Sequence, residues 1–350
     1  MKTMFYPFLW LLSLMYGCAV KIRHQACTKN QRSLPRKTIC VGNITTGGTG
    51  KTPAVIMLAR LLLEKGRKIV ILSRGYKRKS AGTVPLIVSN KEKILVNVEI
   101  SGDEPYLIAR NLPGIPVIVC PDRFSSGKNA IEKFNPDIIL LDDGFQHCRL
   151  FRDLDVVLVD CLNPFGGNKL LPLGFLREPL SAFGRAGVIL LTNSKFVDEG
   201  KIGTITSMIK KYNQKTPIIK AGHKPVNLEK ILTRETIELA QFKGKEVVAL
   251  SSIGNPASFE KTLQSLDIKI TESMRYPDHY WYSEEDVKKL SEKYSGRVIV
   301  TTEKDAVRLE AKIAGEKKIN MPEIYILKIE LEIESIETLE REINKVLKLQ

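Results

Sequence analysis

Cysteine and histidine are scarce in this sequence, and neither is clustered. The 350 residues include six cysteines and four histidines, and no Cys-x-x-Cys pair occurs. Zinc sites need closely spaced ligands, and disulfide frameworks are typical of small secreted domains. The sequence therefore indicates neither, and its cysteine usage is typical of a protein in a reducing cytosol. Internal repeats and low-complexity stretches are also absent.

Acidic residues are missing from the first part of the chain. Residues 1–63 contain no Asp or Glu but nine Lys or Arg, within a chain whose net charge is +15. Such an excess favours anionic partners, namely a nucleotide, a nucleic acid or an anionic membrane. Residues 3–20 carry no charge and are rich in large apolar side chains. An apolar segment followed at once by cations indicates contact with a membrane surface.

Four interpretations of this N-terminal segment compete. A cleaved signal peptide fits poorly, because bulky residues precede the pair Gly17-Cys18. A spanning helix needs about 20 apolar residues, and this stretch is marginal in length and contains Pro7. An interfacial helix with Trp10 and Tyr16 at its polar margin is favoured. A core helix is the remaining alternative.

Short apolar runs alternate with amphipathic helical patterns along the chain. Runs that are apolar throughout are typical of strands covered on both faces, and the alternation predicts a doubly wound, mainly parallel α/β sheet with a second, smaller α/β domain. The predicted divisions are a membrane-associating apolar helix with its basic flank (1–24), a first domain (25–220), a linker (221–243) and a smaller C-terminal domain (244–350). The predicted strands of the first domain are 38–42, 68–73, 84–88, 116–119, 137–141, 155–159 and 187–191.

The clearest functional motif is GGTGKT at residues 47–52, between an apolar strand and an amphipathic helix. Glycines let backbone N–H groups converge on phosphate oxygens, Lys51 can reach the β and γ phosphates, and the Thr52 hydroxyl can bind Mg²⁺. The motif predicts a phosphate-binding loop, although position 45 holds threonine where the general pattern has glycine. The predicted nucleotide-binding residues are Thr45, Thr46, Gly47, Gly48, Thr49, Gly50, Lys51 and Thr52.

Two carboxylates, Asp142 and Asp143, follow directly after the apolar run 137–141. The carboxyl end of a central parallel strand lies beside a phosphate loop, so these side chains are candidate Mg²⁺ ligands. His147 follows a few residues later, and alone it would be structural as often as functional.

Several other motifs are weak when each is considered alone. Asp103 also fits an ordinary helix N-cap, and His279 also fits a half-buried histidine among aromatic residues. Thr301-Thr302-Glu303-Lys304-Asp305 ends a predicted strand, and its charges could pair with one another. Charged turns that could face the same crevice contain Arg74, Tyr76, Arg123, Arg177 and Glu178.

The motifs GGTGKT, SRGY, GDEP, PDR, DDGFQH, LREP, YPDHY and TTEKD, in this order, resemble those of the tetraacyldisaccharide 4′-kinase family of lipid A biosynthesis. The resemblance covers nearly the whole chain. It implies a P-loop NTPase-like kinase domain at 25–220 and transfer of the ATP γ-phosphate to the 4′-hydroxyl of an acylated glucosamine disaccharide 1-phosphate, giving lipid IVA.

The resemblance also implies roles for individual residues. Asp103 matches the proposed catalytic base and His279 its partner, while Lys51 and Thr52 match contacts to ATP and Mg²⁺. Matches to the metal environment are Thr52, Asp142, Asp143 and Glu178; matches to the substrate and phosphate environment are Arg74, Tyr76, Arg123, His147 and Arg177.

The expected partners are ATP, the acylated disaccharide and an anionic membrane surface, with no nucleic acid and with the chain as a monomer. The expected location is the cytoplasmic face of the bacterial inner membrane, with peripheral attachment or a single N-terminal anchor. An alternative function is a membrane-associated P-loop ATPase or nucleotide switch with a protein partner, which would not need Asp103 and His279.

Overall fold

The computed structural model describes residues 6–75, 84–313 and 321–348. The helices are Tyr6–Lys29 (α1), Lys51–Glu64 (α2), Val98–Ser101 (α3), Asp103–Asn111 (α4), Arg123–Phe134 (α5), Glu199–Lys210 (α6), Pro256–Ser265 (α7), Glu284–Tyr294 (α8), Glu303–Ile313 (α9) and Ile336–Leu347 (α10). The strands are Lys37–Asn43 (β1), Ile69–Ser73 (β2), Leu86–Ser89 (β3), Val117–Val119 (β4), Ile138–Asp142 (β5), Leu154–Asp160 (β6), Val188–Thr192 (β7), Ile218–Lys230 (β8), Thr236–Ile237 (β9), Glu246–Ser251 (β10), Lys269–Arg275 (β11), Val298–Thr302 (β12) and Glu323–Ile333 (β13).

Within these ranges the strands form one mixed sheet, in the order β11-β10-β12-β13-β8-β7-β6-β1-β5-β2-β4-β3, with β9 paired to β8. Neighbours from β7 to β4 are parallel, as are those from β11 to β13. Apolar side chains cover both faces of the sheet in each part. The predicted doubly wound, mainly parallel α/β sheet is confirmed.

Strand β8 joins the two parts of the sheet. Its first residues, from Ile218, pair in parallel with β7, and its remainder pairs antiparallel with β13. We call β1–β7 with their helices the N-terminal half, and β10–β13 with theirs the C-terminal half. The division of the chain into two domains stays a prediction.

The segment predicted as a linker, residues 221–243, is not one. It contains most of β8, all of β9 and a short 3₁₀ turn at Leu239–Phe242. Its polar composition concealed a strand of varying burial, in which Leu228 is fully buried between half-buried neighbours. Cross-strand hydrogen bonds to β13 satisfy its backbone, which a polar composition alone does not exclude.

Helix α1 differs from the predicted apolar helix with a separate basic flank. The helix continues through Lys21 and Arg23 to Lys29, because lysine and arginine are good helix formers. A helix that is apolar throughout is therefore not supported. No helix in the described part of the chain combines the length and the hydropathy needed to cross a membrane.

Helix α1 is attached to the N-terminal half by one narrow face. Ser13 and Val20 are its buried residues. The Ser13 hydroxyl donates to the Leu170 carbonyl at 3.0 Å, and the Tyr16 hydroxyl donates to the Arg177 carbonyl at 3.0 Å. Large apolar side chains on the rest of the helix are exposed, namely those of Tyr6, Phe8, Trp10, Leu11, Leu14, Met15 and Ile22.

Candidate active site

The phosphate-binding loop lies between β1 and α2, as predicted. Gly47 and Gly50 adopt φ values of 106° and 86°, a region that side chains with a Cβ disfavour. Lys51 begins α2, and its Nζ lies 3.5 Å from Asn43 Oδ1 and 3.9 Å from Asp143 Oδ1. The loop therefore exposes backbone N–H groups and one ammonium at a helix N-terminus, which suits a chain of phosphates.

A cavity of about 1080 Å³ opens over this loop and is lined by both halves of the sheet. A turn between β10 and α7 comes so close that a Cβ added at Gly254 would lie 2.5 Å from the Gly48 nitrogen. The candidate residues that line the cavity are Thr46, Gly47, Gly48, Thr49, Gly50, Lys51, Thr52, Arg74, Arg123, Asp142, Asp143, His147, Arg177 and His279.

Asp142 is a buried carboxylate with one unused oxygen. β5 pairs in parallel with β1, which puts its end beside the phosphate loop. The Ser73 hydroxyl donates to Asp142 Oδ2 at 2.8 Å, while Oδ1 has no hydrogen-bond partner among the described residues. Burial, followed by the charges of Glu104 and Asp143, raises the pKa of Asp142 to about 7. A buried oxygen without a partner next to a phosphate loop fits a cation.

The described residues contain no group of three His, Cys, Asp or Glu side chains that could hold a metal by themselves. Mg²⁺ commonly takes only one or two protein carboxylates and completes its shell with water and phosphate oxygens. Asp142 and the hydroxyl of Thr52, both lining the cavity, fit that pattern.

The carboxylate of Asp143 is paired with cationic side chains of the protein. Arg177 NH1 lies 3.0 Å from its Oδ2, and Lys51 Nζ lies 3.9 Å from its Oδ1. Burial alone would raise the pKa of Asp143, but Lys51 and Arg177 outweigh it and hold the pKa below its usual range. The two adjacent carboxylates are thus driven toward opposite protonation states.

Glu178 is not brought to the cavity. Its Oε2 accepts a hydrogen bond from Arg185 NH2 at 2.7 Å, and its side chain is buried away from the lining residues. The guanidinium of Arg185 also stacks over the Phe145 ring. The structure therefore gives Glu178 an ion-pair partner rather than a position for metal binding.

The remaining candidates lie at the wall of the cavity or behind it. Arg123 is buried and donates to the carbonyls of Cys120 and Pro121. Burial, followed by nearby arginines, lowers the pKa of His147 to about 4. Thr45 is buried and accepts a hydrogen bond from the Asn43 amide, so it shapes the loop from behind. Tyr76 lies outside the described residues.

Asp103 and His279 meet, although they are 176 residues apart in sequence. His279 Nδ1 lies 2.8 Å from Asp103 Oδ2. Asp103 is the first residue of α4 and is 4% exposed, directly behind His279 and Glu104, which line the cavity. Burial alone would raise its pKa, but the hydrogen bond from His279 and the charges of Lys304 and Arg308 lower it to about 2. The carboxylate is therefore ionised throughout the physiological range.

Helix α9 supplies a residue that sequence reasoning missed. Arg308 is fully buried, and its NH1 lies 3.1 Å from Asp103 Oδ2, while its NH2 lies 2.6 Å from Asp305 Oδ1. Asp305 also accepts hydrogen bonds from Ser252, Thr302 and Tyr282. The spacing of Arg308 from Asp305 puts both on one helix face, but that signal required the start of α9 to be known.

The chain is similar in sequence and in structure to known proteins. A sequence model of the family described as tetraacyldisaccharide-1-P 4′-kinase matches residues 5–348. The tetraacyldisaccharide 4′-kinase of Elusimicrobium minutum is 39% identical and covers 93% of this chain and 87% of its own. That of Syntrophus aciditrophicus is 39% identical over 98% and 94%. The crystal structure of LpxK from Aquifex aeolicus in complex with ATP is similar, with a TM-score of 0.75, 34% identity and 98% coverage of both chains.

We predict that Arg308→Leu strongly destabilises the protein. The change leaves Asp103 and Asp305 buried with one fewer counter-charge, which costs about 3–5 kcal/mol. Urea denaturation would measure the free energy of unfolding. Arg341→Leu, at a side chain that is 65% exposed, should change it by less than about 0.5 kcal/mol. Equal effects of the two substitutions would contradict the role of Arg308 as the counter-charge of Asp103 and Asp305.

Proposed function

The chain belongs to the tetraacyldisaccharide 4′-kinase family, and we propose how its residues divide the work of that reaction. It is a kinase of lipid A biosynthesis that transfers the ATP γ-phosphate to the 4′-hydroxyl of a tetraacyldisaccharide 1-phosphate. A nucleotide switch that phosphorylates nothing is not favoured, because it would need neither Asp103 nor His279. In phosphoryl transfer the transition state is loose, so positioning and charge neutralisation supply most of the catalysis.

The phosphate loop and Lys51 hold the nucleotide in this proposal. Asp142 and Thr52 would hold Mg²⁺, which when bound neutralises charge on the phosphates. Arg177 is tied to Asp143, and Arg123 lies at the wall of the same cavity. These guanidinium groups are suited to phosphate oxygens of the nucleotide or of the acceptor.

Asp103 is the base in the proposal, and His279 orients it. The observation that carries this assignment is the 2.8 Å contact between His279 Nδ1 and Asp103 Oδ2, with His279 at the wall of the cavity that also holds Lys51. A strongly ionised carboxylate is a weak base, but in a loose transition state it has only to orient the hydroxyl and accept the proton late. A base can also act through one water, so a carboxylate just behind the cavity wall can serve.

We also propose that α1 attaches the protein peripherally to the cytoplasmic face of the inner membrane. The side chains of Phe8, Leu11 and Met15 are more than half exposed, and Lys21 and Arg23 follow them on the same helix. Apolar side chains with adjacent cations suit the interface of an anionic bilayer. The acceptor is itself amphiphilic, so it can be met at the bilayer surface.

We predict that Asp103→Asn lowers kcat by at least about 100-fold, since general-base catalysis contributes roughly 10²–10⁴. The KM for ATP should stay unchanged, because the phosphate loop is untouched. Transfer of label from ATP to detergent-dispersed disaccharide 1-phosphate measures the rate. Asp267→Asn, at a side chain that is 66% exposed, is the matched control. Wild-type turnover in Asp103→Asn would show that Asp103 is not the base.

Magnesium binding should release a proton near neutral pH. Asp142, with its raised pKa, holds a proton below about pH 7 that Mg²⁺ must displace, so Mg²⁺·ATP affinity should rise between about pH 6 and pH 8. Calorimetry in two buffers of different ionisation enthalpy would count the protons. Release should fall toward zero at high pH and disappear in Asp142→Asn. A proton count that is the same in wild type and in that variant would contradict Asp142 as the source.

Replacing two exposed side chains of α1, in the variant Phe8→Ser with Met15→Ser, should weaken binding to anionic vesicles. Each large apolar side chain contributes about 1.5–3 kcal/mol when buried, so the two together should lower partitioning by at least about 100-fold. Co-sedimentation with vesicles measures this. Leu232→Ser, at an equally exposed leucine between β8 and β9, should leave partitioning unchanged. If both variants sediment like the wild type, attachment lies elsewhere.

A further inference from the structure

Lys304 lies at the centre of a cluster of charges around His279. It is in the first turn of α9, and its side chain is 18% exposed. Its Nζ lies 3.2 Å from His279 Nε2, 3.0 Å from Glu104 Oε1 and 3.7 Å from Asp278 Oδ1. Asp278 Oδ2 also lies 3.8 Å from His279 Nε2, so Lys304 and Asp278 both contact the same side of the ring.

The protonation state of Lys304 follows from its surroundings. Burial lowers the pKa of a lysine, but the charges of Glu104, Asp103 and Asp278 outweigh it and raise the pKa of Lys304 above its usual value. The side chain is therefore an ammonium, which has three donors and no acceptor. At 3.2 Å it can only donate to His279 Nε2, so that nitrogen must present its lone pair.

The other ring nitrogen then has only one possible role. If Nε2 accepts, the neutral ring carries its proton on Nδ1, and Nδ1 donates to Asp103 Oδ2 at 2.8 Å. The geometry points to Lys304 as a positioning residue of the kinase, which fixes His279 as the neutral Nδ1–H tautomer so that Asp103 stays the proton acceptor. This inference rests on the proposed roles of Asp103 and His279.

The charges around the ring explain why Lys304 is needed. The charged groups in contact with the ring are Asp103 from α4, Lys304 from α9 and Asp278 from its own turn; behind them, Glu104 from α4 pairs with Lys304 and Arg308 from α9 pairs with Asp103. Without Lys304 the carboxylates would dominate and favour the doubly protonated ring. A charged ring beside Asp103 would make that carboxylate a poorer base.

Lys304→Met keeps the length of the side chain and removes its charge and donors. We expect kcat to fall about 10- to 100-fold, an effect typical of losing a group that orients a functional side chain, with the KM for ATP unchanged. The acidic limb of the kcat–pH profile should move to higher pH. Lys304→Arg should recover most of the activity, because a guanidinium also donates and cannot accept.

Lys312→Met is the matched control on the same helix, since Lys312 is half-buried and pairs with Glu99 at 3.8 Å, away from the cavity. It should leave both kcat and the pH profile unchanged. A raised KM for ATP with unchanged kcat in Lys304→Met would make Lys304 a nucleotide contact and overturn the inference. So would an acidic limb that does not move.

The tautomer can be measured in the wild-type protein, which avoids any folding defect of a variant. With four histidines in the chain, ¹⁵N-histidine NMR, with His279→Gln to identify the signal, distinguishes a protonated Nδ1 from a protonated Nε2. The Nδ1–H form is expected, and the Nε2–H form would overturn the inference. This readout is independent of the base assignment, which the Asp103→Asn kinetics test separately.

Discussion

An ionised carboxylate is costly to bury, and the position of Asp103 depends on compensation from a distant part of the chain. Asp103 comes from α4 in the N-terminal half, whereas His279, Lys304 and Arg308 all come from the C-terminal half. A buried charge without its partners would neutralise itself by taking up a proton. The two halves must therefore be packed together before residue 103 can be both buried and negatively charged. The charges that stabilise the buried Asp103 carboxylate therefore form only when the two halves pack against each other.

The same cavity holds two carboxylates whose environments drive them in opposite directions. Asp103 receives a hydrogen bond and nearby positive charge, which favours the ionised form. Asp142 is equally buried, and its burial together with the nearby carboxylates of Glu104 and Asp143 favours the protonated form, against the single hydrogen bond from the Ser73 hydroxyl. Divergent environments of this kind separate the roles of chemically identical groups in enzymes. Here Asp103 is suited to accepting a proton and Asp142 to binding a cation.

The sequence was informative where local pattern and chemistry coincide. The phosphate loop, the apolar strands around it and the acidic end of β5 could be predicted, because glycine, periodicity and charge each act over a few residues. Arg308 could not, since its partner Asp103 is separated from it by most of the chain. The segment 221–243 was misassigned because its hydrogen bonds to β13 leave no trace in its composition. Glu178 sits in a motif shared with the family, yet its nearest cation, Arg185, lies in a stretch that had suggested no function.

Strand β8 gives this architecture a mechanical property. It is hydrogen-bonded to β7 at one end and to β13 along the rest, and its ladder with β13 is irregular between Lys328 and Ile329, opposite Val226. Within the sheet, rotation of one half against the other must be absorbed as torsion along this strand, and an interrupted ladder yields more easily than a regular one. The placement of Asp103 relative to His279 thus depends on a strand to which no part of the chemistry is assigned, as well as on the ion pairs that join α4 directly to α9.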